Sequence, residues 1–119
     1  LKTKLISIMV MREVQKKSSS ILRIIDFYGE EKPFKYLSEF FKNLINVNKH
    51  EYVDLLCYGM DKNIIKSAGF IEVPIKSKNI IIPNYFDPFI KKNISIYFFT
   101  NSLNNFSVFK GDGDQDRPN

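Results

Sequence analysis

One cysteine, Cys57, one histidine, His50, and no tryptophan stand among the 119 residues. A lone cysteine leaves no intramolecular disulfide and no cysteine-rich zinc centre. A lone histidine leaves a multi-histidine metal site and a histidine-based triad without their parts, so no metal is expected. No stretch reaches the roughly 18 consecutive apolar residues of a membrane-crossing helix. The chain opens on no basic-then-apolar signal segment either, so the expectation is a cytoplasmic protein with no membrane partner. Arginine is scarce, with only Arg12, Arg23 and Arg117, and the net charge of +5 is therefore lysine scattered along the chain. Its one local cluster, Lys16 and Lys17 beside Arg12 and three serines, reads as a hairpin loop. No aromatic-plus-basic reading motif accompanies it, so nucleic acid is not an expected partner.

What is present is ordinary globular material: 44% hydrophobic and 26% charged residues, enough chain for one domain with a core of its own. A single domain over residues 1–119 is expected. Because the first residue is Leu1, it is expected to be the C-terminal part of a longer protein. Residues 5–14 and 21–27 are rich in strand formers. The polar stretch 15–20 between them predicts an antiparallel hairpin whose loop is longer than the tightest type. Gly29, Glu30 and Glu31 then lead into a helix with Pro33 in its first turn. Phe34, Leu37, Phe40, Phe41, Leu44 and Ile45 recur at helical spacing and form its buried stripe.

Residues 52–58 read as a buried strand. Strand, helix and strand in succession predict that 21–27 and 52–58 are parallel neighbours joined by a right-handed crossover. Asp61 can cap a second helix that Gly69 closes in the left-handed conformation. Further strands are expected at 70–75, 80–82, 94–100 and 106–109, with Pro74 and Pro83 marking stops or edges. The segment 94–100 could pair with a second copy of the chain as an exposed edge. The order is β-β-α-β-α-β-β, a mixed α/β or α+β class.

Tyr52-Val-Asp, the helix that follows, and Ala68-Gly69-Phe70 together resemble the GNAT (N-acetyltransferase-like) superfamily. There, a strand leads to a helix closed by a Gly-Phe pair and then to a final antiparallel pair. The resemblance implies a GNAT-like fold and acyl transfer from acetyl-coenzyme A, or another acyl-coenzyme A, to a small amine or hydroxyl acceptor. It makes the strand 21–27 and the helix after it the coenzyme-A-binding unit, with Gly29 in the cofactor turn. That turn reads Tyr28-Gly29-Glu30-Glu31-Lys32-Pro33, where the family carries Q/R-x-x-G-x-G/A, and Ile65 stands where the family has its general-acid Tyr. Those two positions give the alternative: a non-catalytic ligand-binding or protein-interaction domain of the same fold.

Candidate site residues follow from chemistry. Asp26 and Asp54 interrupt apolar strands, and a carboxylate there is paired, exposed or raised in pKa. Asp26, at the C-terminal end of its strand where ligands of α/β sheets gather, is the better general base. The alternative for both is a salt bridge, with Arg23 or a lysine as partner. The C-terminal Gly-Asp-Gly-Asp-Gln-Asp-Arg-Pro-Asn carries Asp112, Asp114 and Asp116 at alternate positions, followed by Arg117. It reads as a solvated terminus, as a loop that takes a sugar-like acceptor with Asp114 or Asp116 as base and Asp112 and Arg117 binding, or as half of a hard-cation loop. Asn84 and Tyr85, with Phe86, lie between Pro83 and Pro88 and either line a pocket or pack down as a loop. Cys57 reads as a small buried hydrophobe, Tyr58 as a strand-end acid, and His50 as a surface residue.

Overall fold

The computed structural model describes residues 3–86, 89–102 and 104–113. Its first unit is the expected hairpin: β1 (Ser7–Lys16) pairs antiparallel with β2 (Ser19–Gly29). The loop is shorter than the polar run suggests. Gln15 pairs with Ser20 and Lys16 with Ser19, which leaves only Lys17 and Ser18 outside the ladder. Lys17 permits this by taking a positive φ of 54°, the conformation that tight hairpin turns require.

The ladder slips once. Met11 faces Ile24 and Val10 faces Asp26, so Ile25 is the extra residue of a bulge. The slip resets the alternation of β2: Ile24 and Phe27, three apart, both belong to the buried core. By the same alternation Arg23, Ile25 and Asp26 turn to the opposite face. Residues 21–25 are all buried, as befits a strand covered on both faces.

The helical stretch is split rather than continuous. A 3-10 turn, Lys32–Tyr36, with Pro33 in its first positions, gives way at Leu37 to α1 (Ser38–Asn48). Phe34 is 1% exposed and Phe41 4%, so the apolar stripe survives the break, although Phe40 is exposed. The chain returns through Lys49, with φ 57°, to β3 (Val53–Leu55). This strand is parallel to β2 with Arg23 opposite Asp54, as the strand-helix-strand order predicts.

The expected single strand over 52–58 is interrupted at Leu56. Beyond it, β4 (Cys57–Tyr58) leaves β2 and pairs antiparallel with β5 (Val108–Phe109). Between them lies α2 (Lys62–Ser67), whose first turn is capped by Asp61 Oδ1 accepting from Asn63 N at 2.7 Å. Gly69 follows with φ +95°, the left-handed closure that its place in the sequence predicts.

The strands expected at 70–75, 80–82 and 94–100 are absent from the described residues. Pro74 and Pro83 cannot donate to a ladder. Pro74 instead starts a turn through Ser77 N to its carbonyl. The Asn93 side chain bonds Ile82 N, Ile80 O and Ser77 O, so one amide group does there what a neighbouring strand would do. The 94–100 segment has strand-forming residues but no strand beside it among the described residues, and Tyr97 and Phe99 stand exposed.

The described residues form a mixed α+β architecture: a three-stranded sheet in the order β1-β2-β3, a two-stranded ladder, and two α-helices. Ile24, Phe27, Phe34, Phe41, Met60, Ala68 and Phe109 form the core. The Phe70 ring packs on Phe41 (5.2 Å) and Phe34 (6.0 Å). Each fully buried phenylalanine contributes about 1.5–3 kcal/mol. No helix of the described residues is long and apolar enough to cross a membrane.

Candidate functional site

Two features of the sheet are built from polar chemistry. The first is the place where β2 loses its parallel neighbour. The last paired residues are Ile24 and Leu55; β2 runs on to Gly29 while β4 turns away to β5. The segment 108–112 lies against both. Phe109 pairs with Cys57, and its ring lies 6.5 Å from Phe27. Gly111 is seated so closely on β2 that a Cβ there would lie 2.9 Å from Ile25 Cγ2 and 3.1 Å from Ile25 O. Asp26, on the face away from the helices, is partly buried, and its Oδ1 accepts a hydrogen bond from Phe27 N at 2.8 Å.

Gly29 closes β2 for a reason of backbone geometry. Its φ is +114°, and a Cβ would lie 2.4 Å from Ile6 O and 2.7 Å from Ser7 Cα. The β1 backbone therefore approaches where a side chain would be. The turn after it is occupied by its own bonds: Glu30 N donates to Ile6 O, and Glu31 Oε2 accepts from Asp61 N. The helix proper starts only at Ser38.

The second feature is a buried ionic network on the face of the sheet away from the helices. Arg23 Nε donates to both carboxylate oxygens of Asp54 (2.9 and 3.0 Å), and Nη2 donates to Oδ2 at 2.5 Å. The rest of the guanidinium fixes a loop: Nη1 donates to Asn84 O at 3.0 Å and Nη2 to Pro83 O at 2.6 Å. The Phe86 ring lies 5.3 Å from the guanidinium carbon. Lys110, also buried, donates to Asn84 Oδ1 at 2.8 Å and stands 5.8 Å from the Tyr85 ring.

Thus Asp54 takes the salt-bridge alternative with Arg23. Asn84 is turned inward to Lys110, Tyr85 lies under the same ammonium, and Phe86 lines a cavity. Asp112 is exposed and its Oδ2 accepts from Phe109 N at 2.7 Å, holding the final 3-10 turn, Lys110–Asp112. Asp114, Asp116 and Arg117 lie outside the described residues. The network joins Asn84 and Tyr85 to one site through Lys110, a residue that sequence reasoning passed over. Its only signal was a lysine set between Val108-Phe109 and Gly111.

His50 is buried, not on the surface: its Nδ1 is hydrogen bonded with Ser20 Oγ at 2.8 Å, next to the Glu51 N to Ser20 O bond that starts the parallel pairing. The Tyr58 ring packs against Phe98 and Phe106. Burial and, second, the Glu31 carboxylate push the half-buried Cys57 thiol up from 9.0 to about 11, so it keeps its proton and is a poor nucleophile. Among the described residues no three histidine, cysteine or acidic side chains come together as a metal would need.

Comparison of the chain with protein-family models, with curated proteins and with solved structures gives no match.

Proposed function

We propose that the chain is a GNAT-like acyltransferase domain that moves an acyl group from a coenzyme A thioester to a small amine or hydroxyl, on a sugar-like acceptor. The observation that supports this reading is the parting of two parallel strands after Ile24 and Leu55, joined through α1. Past that point residues 26–29 of β2 have no strand beside them on the side away from β1 among the described residues. Apart from Phe27 N, which Asp26 Oδ1 holds, the backbone N–H and C=O groups of that stretch, with those around Leu56, are of the type that amides of an extended arm need. A bound thioester supplies the activated acyl carbon. In this scheme Asp26 accepts the proton of the acceptor as its nitrogen or oxygen bonds to that carbon. The C–S bond breaks and the thiolate leaves, taking up a proton from solvent. Holding the two reactants together supplies most of the rate. The tail residues Asp114, Asp116 and Arg117 fit the recognition of acceptor hydroxyls and an acidic group.

A second reading, a non-catalytic binding domain of this fold, is favoured by one observation. Gly111 is seated on Ile25 and Glu31 accepts the Asp61 amide, so groups beside the parting are already engaged. Calorimetry of the whole protein with acetyl-coenzyme A separates the two. Acyl transfer predicts saturable binding and turnover that falls at least ten-fold in Asp26→Asn with the melting temperature retained. Absence of binding would leave the second reading.

A further inference from the structure

We propose that the cavity between the tip of the β1–β2 hairpin and residues 81–86 and 89–91 is a binding site for a small planar ring carrying a phosphate, separate from the acyl-transfer site. The cavity measures about 290 Å³, room for one ring and its substituent and near the lower limit of ligand sites. Its walls are apolar and aromatic, with Ile21, Tyr52, Phe86 and Phe89 presenting the surface that an unsaturated ring stacks on. Among the described lining residues Lys16 and Lys91 are the cations and Glu51 the carboxylate, a balance that favours an anion. Both cations are lysines. A lysine ammonium binds the oxygens of a phosphate as a point charge.

The wall is formed before any ligand arrives. Arg23 holds the Pro83 carbonyl and lies over Phe86, while Asp54 holds Arg23. Tyr52 is part of the same wall. Burial, with Asp54 nearby, raises its pKa from 10.0 to about 12, so it stays protonated. The location sets this site apart, because Ile21 and Tyr52 precede the paired stretch Leu22–Ile24 with Val53–Leu55, and the strands part at its other end.

Amide chemical shifts of the whole protein titrated with phenyl phosphate, phenol and inorganic phosphate test the proposal. Phenyl phosphate is expected to give saturable shifts at Tyr52, Phe86 and Phe89, with each of the other two probes at least ten-fold weaker. Phe89→Ala, at a half-exposed position, is expected to weaken binding about ten-fold, and Lys91→Ala about three-fold, both with the melting temperature unchanged. If Phe89→Ala lowers the melting temperature, the lysine variant decides. Shifts that persist with S-acetyl-pantetheine present, a thioester arm with neither ring nor phosphate, keep the sites separate whether or not that compound binds. No shift at these amides, phenol or inorganic phosphate binding as tightly as phenyl phosphate, or displacement by S-acetyl-pantetheine would overturn the proposal.

Discussion

Arg23 and Asp54 are neighbours twice over: their backbones are paired across the parallel strands β2 and β3, and their side chains form an ion pair with three hydrogen bonds beneath the 83–86 loop. Both are buried, at 4% and 8% exposure. Removing one partner strands the other charge away from water, which costs about 3–5 kcal/mol. Asp54→Ala should therefore lower stability by about that amount in urea unfolding. Replacing both residues with apolar side chains should recover much of the loss. A loss below about 1 kcal/mol in Asp54→Ala would mean that the pair does not hold the loop to the sheet.

The Cys57 thiol should react slowly. Its ordinary value of 9.0 is raised to about 11 by burial and by Glu31, so the folded protein holds a proton that the unfolded chain releases from pH 9 upward. The corresponding stability is fully present below pH 9 and is lost as the pH rises to 11. Alkylation rates followed against pH should rise with a midpoint near 11; a midpoint near 9 would contradict the burial.

Gly29→Ala should be costly although the change adds one methyl. The position combines φ +114° with a β1 carbonyl 2.4 Å from the would-be Cβ, and relief requires the two strands to move apart. A loss of about 1–3 kcal/mol in chemical denaturation is expected. An unchanged midpoint would show that the end of the hairpin is not paired as described.

Gly111→Ala tests the seating of the last segment. A methyl 2.9 Å from Ile25 Cγ2 and 3.1 Å from Ile25 O must push 108–112 away from β2. Overpacking of this kind costs about 1–3 kcal/mol, and amide exchange at Phe109 should accelerate. Unaltered exchange and stability would contradict the contact.

The elements legible in the sequence were those with a strong period or a forced topology. The Phe34, Leu37, Phe41 spacing marked the helical stripe, and strand-helix-strand order marked β2 and β3 as parallel. The bulge at Ile25, which turns Phe27 into the core, has no signature in residue type. Strand propensity at 80–82 and 94–100 is real but has no partner strand among the described residues, and at 80–82 the Asn93 side chain takes over the backbone bonding. At the site, Asp54 and its arginine could be anticipated from two charges in apolar strands. Lys110 and the burial of His50 depend on long-range packing against Asn84 and Ser20 that spacing does not carry.

The most direct test of the proposed activity is a map of amide shifts on adding acetyl-coenzyme A to the isotope-labelled whole protein. Acyl transfer at this place predicts saturable changes confined to the parting of the strands, at Asp26, Phe27, Leu56, Cys57 and Gly111. Unchanged amides at those five residues at saturating ligand would contradict it.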